Sequence, residues 1–87
     1  MYIIGYKPSF IRQYKRLPTV LQEEVRERIE LLKADPKHIF LKMHKLQGRL
    51  AGKWSISVNY AYRIVFQMIS EKEIVLLAVG DHDVYDK

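Results

Sequence analysis

Apolar residues recur with two different periods, and the change of period divides the chain. In the first half Phe10, Tyr14 and Leu17 are spaced by four and three, behind Pro8, a residue suited to a helix start. This predicts a short helix with Arg12, Lys15 and Arg16 mostly outward. Pro18 interrupts it, and Thr19 is placed to cap a second helix. Leu21, Val25, Ile29 and Leu32 form one stripe, which predicts that amphipathic helix over residues 19–33. Glu23 and Glu24 fall near its positive end and Lys33 near its negative end, the favourable arrangement. Asp35-Pro36 stops it. Ahead of both helices, residues 2–6 are β-branched and aromatic and predict a strand closed by Lys7-Pro8.

The second half runs at a period of two. Residues 37–52, with Gly48 and Gly52, read as a basic loop. Trp54, Ile56, Val58 and Tyr60 alternate with Ser55, Ser57 and Asn59, the pattern of a half-buried strand. Residues 59–61 make the turn, and Tyr62, Ile64, Phe66 and Met68 alternate with Arg63, Val65, Gln67 and Ile69 in the next strand. After a short connection at 70–72, residues 73–79 are so evenly apolar that they predict a central strand covered on both faces. Gly80 ends it and leaves a polar tail, 81–87. The expected fold is α+β, with two N-terminal helices packed on one face of a small, mostly antiparallel sheet in the order β-α-α-β-β-β.

A chain of 87 residues makes one domain, 1–87, and folding at this size buries roughly 60–65% of the unfolded surface. It has no cysteine, which removes disulfides, thiolate metal ligands and a thiol nucleophile. The longest purely apolar run, 74–79, is far shorter than the roughly 20 residues of a membrane span. Residues 1–14 lack a signal-peptide core. The expectation is a cytoplasmic protein with no membrane partner. Fifteen Lys and Arg against ten Asp and Glu give a net charge of +5. The distribution says more, because residues 36–70 contain no acid but carry Lys37, Lys42, Lys45, Arg49, Lys53, Arg63, His38 and His44. Such a block makes one side of a small domain positive, a match for the phosphates of nucleic acid or for an acidic protein.

Breaking a phosphodiester needs a nucleophile, a proton for the leaving oxygen and cations on the non-bridging oxygens. In RNA the neighbouring 2′-hydroxyl is a sufficient nucleophile, so no metal or other cofactor is expected. His82 lies just past the most apolar strand; Asp81 and Asp83 beside it favour a protonated ring, which suits a general acid, and the alternative is a plain tail histidine. Tyr85 either stacks on a base and orients a phosphate or packs back on the sheet. Arg63, in mid-strand, is either a phosphate clamp or a structural partner for Asp81 or Asp83. His44 sits in the basic loop, as a catalytic group or a surface histidine. Zinc-ligand spacing, a phosphate-cradling glycine loop and a serine–histidine elbow are all missing.

The stretch His44-Lys45-Leu46-Gln47-Gly48, the run Trp54-Ser55-Ile56-Ser57-Val58-Asn59-Tyr60-Ala61-Tyr62-Arg63-Ile64-Val65-Phe66 and the ending Val79-Gly80-Asp81-His82-Asp83-Val84-Tyr85 resemble the RelE/ParE superfamily of bacterial toxins. With the preceding strand and helix pair, the likeness covers nearly the whole chain in order. It is nearest the RelE/YafQ-like branch, whose members are ribosome-dependent messenger-RNA endonucleases paired with an antitoxin. The resemblance gives Arg63 the role of the arginine on the substrate phosphate. It gives His82 the place of a catalytic histidine in YafQ-like members and of a catalytic arginine in RelE-like ones. Tyr85 falls near the branch's catalytic tyrosine and His44 on another catalytic histidine. Lys42, Lys45, Arg49 and Lys53 stand for the RNA-binding loop charges. The chain departs from the pattern at Ser57 and Ala61, where YafQ-like members have a histidine and an aspartate, and at Asp81, where RelE-like ones have lysine.

The resemblance implies a toxin that cleaves messenger RNA by metal-independent 2′-hydroxyl attack and so inhibits translation. Its partners would be a cognate antitoxin, in a hetero-oligomer, together with the message and the ribosome. Two other readings stay open: a ParE-like toxin that binds DNA gyrase without catalysis, and a degenerate toxin that binds only its antitoxin.

Overall fold

A computed structural model describes residues 2–81. Strand β1 (Ile3–Tyr6) leads into helices α1 (Pro8–Lys15) and α2 (Thr19–Ala34), followed by β2 (His44–Lys45), β3 (Trp54–Ser57), β4 (Arg63–Met68) and β5 (Glu73–Gly80). These strands form one sheet in the order β1-β5-β4-β3-β2. Among the described strands only β1 and β5 run parallel; the other pairs are antiparallel. The architecture is the expected α+β one, two helices on a mostly antiparallel sheet.

Both helices follow from the apolar spacing. Phe10 of α1 and Leu21, Val25, Ile29 and Leu32 of α2 are buried against Ile56, Ile64, Phe66, Ile74 and Leu76 of the sheet. Pro8 opens α1, where the amide it lacks has no helical partner. The cap expected at Thr19 is not made: Pro18 holds the N-cap position, no side chain caps it, and the first turn of α2 carries no acid. The Gln22 side chain instead donates to the Tyr14 carbonyl at 3.0 Å, tying the end of α1 to the start of α2. Arg28 of α2 donates to the Val58 carbonyl at 3.1 Å and fastens the helix to the end of β3.

Three features differ from the sequence-based expectation. The loop 37–52 contains two 3-10 turns, Ile39–Leu41 and Gly48–Leu50, and an additional strand, β2. The alternation running to Tyr60 outlasts the strand, which ends at Ser57, while the turn expected at 59–61 is present. Asn59 Oδ1 accepts the amides of Ala61 and Tyr62 at 2.8 and 2.9 Å, which bends the chain and leaves Tyr60 96% exposed. β5 is central, between β1 and β4, but fully buried on one face only: Ile74, Leu76 and Val79 are buried, while Val75, Leu77 and Ala78 are half-buried. A bulge makes that inward set possible. Val65 pairs with Ala78 and Phe66 with Leu76, so Leu77 is the extra residue. Leu76 and Val79, three apart, then both point at the helices, which an unbroken period of two forbids. No described helix is long and apolar enough to cross a membrane.

Candidate active site

The strand register determines which polar side chains share the face turned away from the helices. His44 is opposite Ser55, Ser55 opposite Val65, and Val65 opposite Ala78. One step along, Ser57 is opposite Arg63, and Arg63 opposite Gly80. Ile56, between Ser55 and Ser57, belongs to the helix-side core, so alternation puts both serines, and hence His44 and Arg63, on the other face. The side chains agree, since Ser55 Oγ lies 3.3 Å from His44 Nε2. One strand, β3, lies between His44 and Arg63, which puts them two strand spacings apart, about 10 Å across the sheet and about 7 Å along it. Ser55 and Ser57 are both buried; His44 is exposed and Arg63 half-buried.

Both ring nitrogens of the histidine have a partner. Its Nδ1 is 3.3 Å from the Lys42 carbonyl oxygen, which can only accept. With Nδ1–H donated there, Nε2 of the neutral ring holds the lone pair and accepts from the Ser55 hydroxyl. A base so oriented suits abstraction of a hydroxyl proton. The loop beyond β2 turns tightly through Gly48 and Gly52, at φ +66° and +89°, in the left-handed region that glycine enters without penalty. This turn forms a pocket of about 300 Å³ lined by His44, Leu46, Gln47, Arg49 and Leu50. Arg49 therefore shares a pocket with His44.

The remaining basic candidates are elsewhere or indirect. Lys45 follows His44 on β2 and takes the opposite face, with Nζ 5.7 Å from the centre of the Trp54 ring. Lys42 lines a cleft with Trp54. Lys53 is half-buried, and its carbonyl accepts the Leu46 amide at 2.9 Å, continuing the β2–β3 ladder. β5 ends at Gly80, which is paired with Arg63; His82 and Tyr85 lie outside the described residues. The alternation in the sequence shows Ser55 only as the polar half of a half-buried strand and gives no sign of its histidine partner. Its signal is contextual: a small hydroxyl residue matters here only because β2 sets a histidine beside it.

No family model matches the chain, and no curated protein does. Solved structures do. YafQ from E. coli is 17% identical over all of both chains, with a TM-score of 0.78. A YoeB/ParE toxin from Agrobacterium tumefaciens is 22% identical over 94% of this chain and 99% of its own, with a TM-score of 0.77. A chain of the toxin–antitoxin complex RelBE2 from Mycobacterium tuberculosis is 23% identical over 93% of this chain and 98% of its own, also at 0.77. Across essentially its whole length, this chain shares the fold of the YafQ, YoeB/ParE and RelBE2 chains.

Proposed function

We propose that this chain is the toxin of a toxin–antitoxin pair and a cytoplasmic endoribonuclease that cuts messenger RNA on the ribosome. The observation that carries the reading is the register-enforced gathering of His44 and Arg63 on the sheet face away from the helices. In the reaction a ribose 2′-oxygen attacks the adjacent phosphorus. The P–O2′ bond forms and the P–O5′ bond breaks, leaving a 2′,3′-cyclic phosphate or its opened 3′-phosphate and a 5′-hydroxyl. His44, with its Nε2 lone pair, helps to activate the 2′-hydroxyl. Arg63, with Arg49 of the His44 pocket, stabilises the charge that builds on the phosphorane oxygens. His82 gives the proton to the departing 5′-oxygen, and Tyr85 helps to orient the reacting groups.

An antitoxin partner is supported by the assemblies among the similar structures, which include RelBE2 and a YoeB–YefM complex from Staphylococcus aureus. The expected antitoxin lays an acidic or amphipathic segment over the toxin.

Primer extension on a reporter message in a translating extract tests the reading, with the wild type beside His82→Ala. Discrete breaks within codons, lost in the variant, are the expected result. Breaks that survive the substitution keep the nuclease and move the acid from His82 to another group. An intact message overturns the nuclease in favour of a gyrase-binding toxin or one that binds only its antitoxin.

A further inference from the structure

We propose that the opposite side of the same sheet edge carries a second RNA subsite, in which Trp54 stacks a base and Lys37, Lys42 and Lys45 hold the flanking phosphates. The proposal rests on the endoribonuclease reading for its ligand class, but its geometry is independent of the cleavage face. Lys45 and His44 are consecutive on β2 and so point to opposite faces. Lys45 pairs with Trp54 in the β2–β3 ladder, and its ammonium stands 5.7 Å from the centre of the indole. Trp54 is half-buried, packed on the core by one part and open to a cleft by another. That cleft encloses about 490 Å³, and Lys37, His38, Ile39, Lys42, Met43 and Trp54 line it.

The chemistry favours a single nucleic-acid strand. A flat aromatic surface surrounded by flexible ammonium groups matches a base between phosphates, and stacking on such a surface tolerates any sequence. Residues 36–70 carry no carboxylate to oppose a polyanion. Lys37, Lys42 and Lys45 are all exposed. Lys42 is the one non-glycine described residue at positive φ, +47°, where the first 3-10 turn gives way to β2. β2 is the outermost strand and only two residues long. An RNA strand leaving the His44 pocket therefore rounds a narrow edge to reach Trp54, and the message is gripped on both sides of it.

Trp54 is the chain's sole tryptophan, so its emission reports on this cleft alone. The experiment titrates an uncleavable 2′-O-methyl oligoribonucleotide into the full chain, following tryptophan fluorescence and oligonucleotide anisotropy together. Saturable quenching is expected. The double variant Lys42→Ala, Lys45→Ala should weaken it at least about tenfold at low salt and reduce the slope of log K against log salt by about 1.4, from roughly 0.7 per phosphate contact. Amplitudes are referred to each variant's own starting emission, since Lys45 itself touches the indole. Binding seen by anisotropy without quenching overturns the subsite and leaves the nuclease reading standing. Quenching by a protein that makes no cut in the primer-extension assay supports the subsite while the nuclease reading fails. Equal quenching by a polyglutamate peptide of matched charge overturns RNA in favour of an acidic protein segment.

Discussion

Arg63 is a guanidinium in a strand, half-buried, with small neighbours on either side: Ser57 across the ladder on β3 and Gly80 on β5. Serine and glycine leave room above the sheet for a charged head and for an anion it can fork around. Under the proposed function, Arg63→Ala is expected to lower single-turnover cleavage on programmed ribosomes by about 10²–10³, the scale of losing one oxyanion-stabilising group. Arg63→Lys should recover only part, since a point charge cannot reproduce bidentate contact. An unchanged rate would remove Arg63 from the reaction. His44→Ala should cost about 10²–10⁴ with Nε2 as the base, whereas Ser55→Ala, which removes a partner of the ring rather than the base, should cost much less. The unusual residue types at 44 and 63 are legible in the sequence, a histidine in a basic loop and an arginine between apolar strand neighbours. Their common face is not. It depends on β2, and a two-residue strand is too short to show a period; its pairing with β3 exists only in three dimensions.

At the scale of elements, α1 completes the sheet. β1 covers the edge of β5 only from Glu73 to Leu76. Beyond it the bulge and the last residues of β5 would expose unpaired backbone groups, the liability of any sheet edge. Two side chains from successive turns of α1 take them: Ser9 Oγ donates to the Leu77 carbonyl at 2.7 Å, and Gln13 Oε1 accepts the Val79 amide at 2.9 Å. Gln13→Ala leaves that amide, on a residue only 3% exposed, without its acceptor. The expected cost is about 1–3 kcal/mol, and each kcal/mol lowers Tm by roughly 4–8 °C in a domain of this size. Arg12→Ala, one position away on the exposed side, should change Tm little. Thermal melts of the pair decide it, and equal melting would mean that solvent replaces the glutamine without loss. In the core, Leu32→Ala should cost about 2–5 kcal/mol, because Leu32 is fully buried between α2 and the sheet. Both helices and the apolar alternation of β3 to β5 are legible because long periodic runs report burial. The turn at 59–61 is legible too, from an asparagine between two alternating runs. The bulge at Leu77 is not, since it depends on one extra residue in a run that otherwise keeps its period.

For the whole molecule the decisive property is how charge is divided over a body of 32 × 28 × 24 Å. Glu23, Glu27 and Glu30 line the outer side of α2 together with Arg26. The acid-free residues 36–70 build β2, β3, β4 and the loop that joins the first two. The molecule therefore presents a positive end to its surroundings and a mixed, carboxylate-bearing helix elsewhere. Because the Debye length is about 10 Å at 0.1 M salt, a partner held on the positive end feels that charge only when close, and less as salt rises. Under the proposed function, an antitoxin segment that covers residues 36–70 should bind more weakly as salt increases from about 0.05 to about 0.5 M, with most of the change in the association rate. Stopped-flow mixing of this chain with its antitoxin candidate across that range measures it. A salt-insensitive affinity would relocate the contact to the apolar cleft of about 370 Å³ where Tyr6, Phe10, Ile11 and Tyr14 line the side of α1. Ile11→Glu separates the two cases independently of salt. Ile11 is exposed on α1, so the substitution spares the core; it should leave charge-driven association intact and disrupt an apolar one.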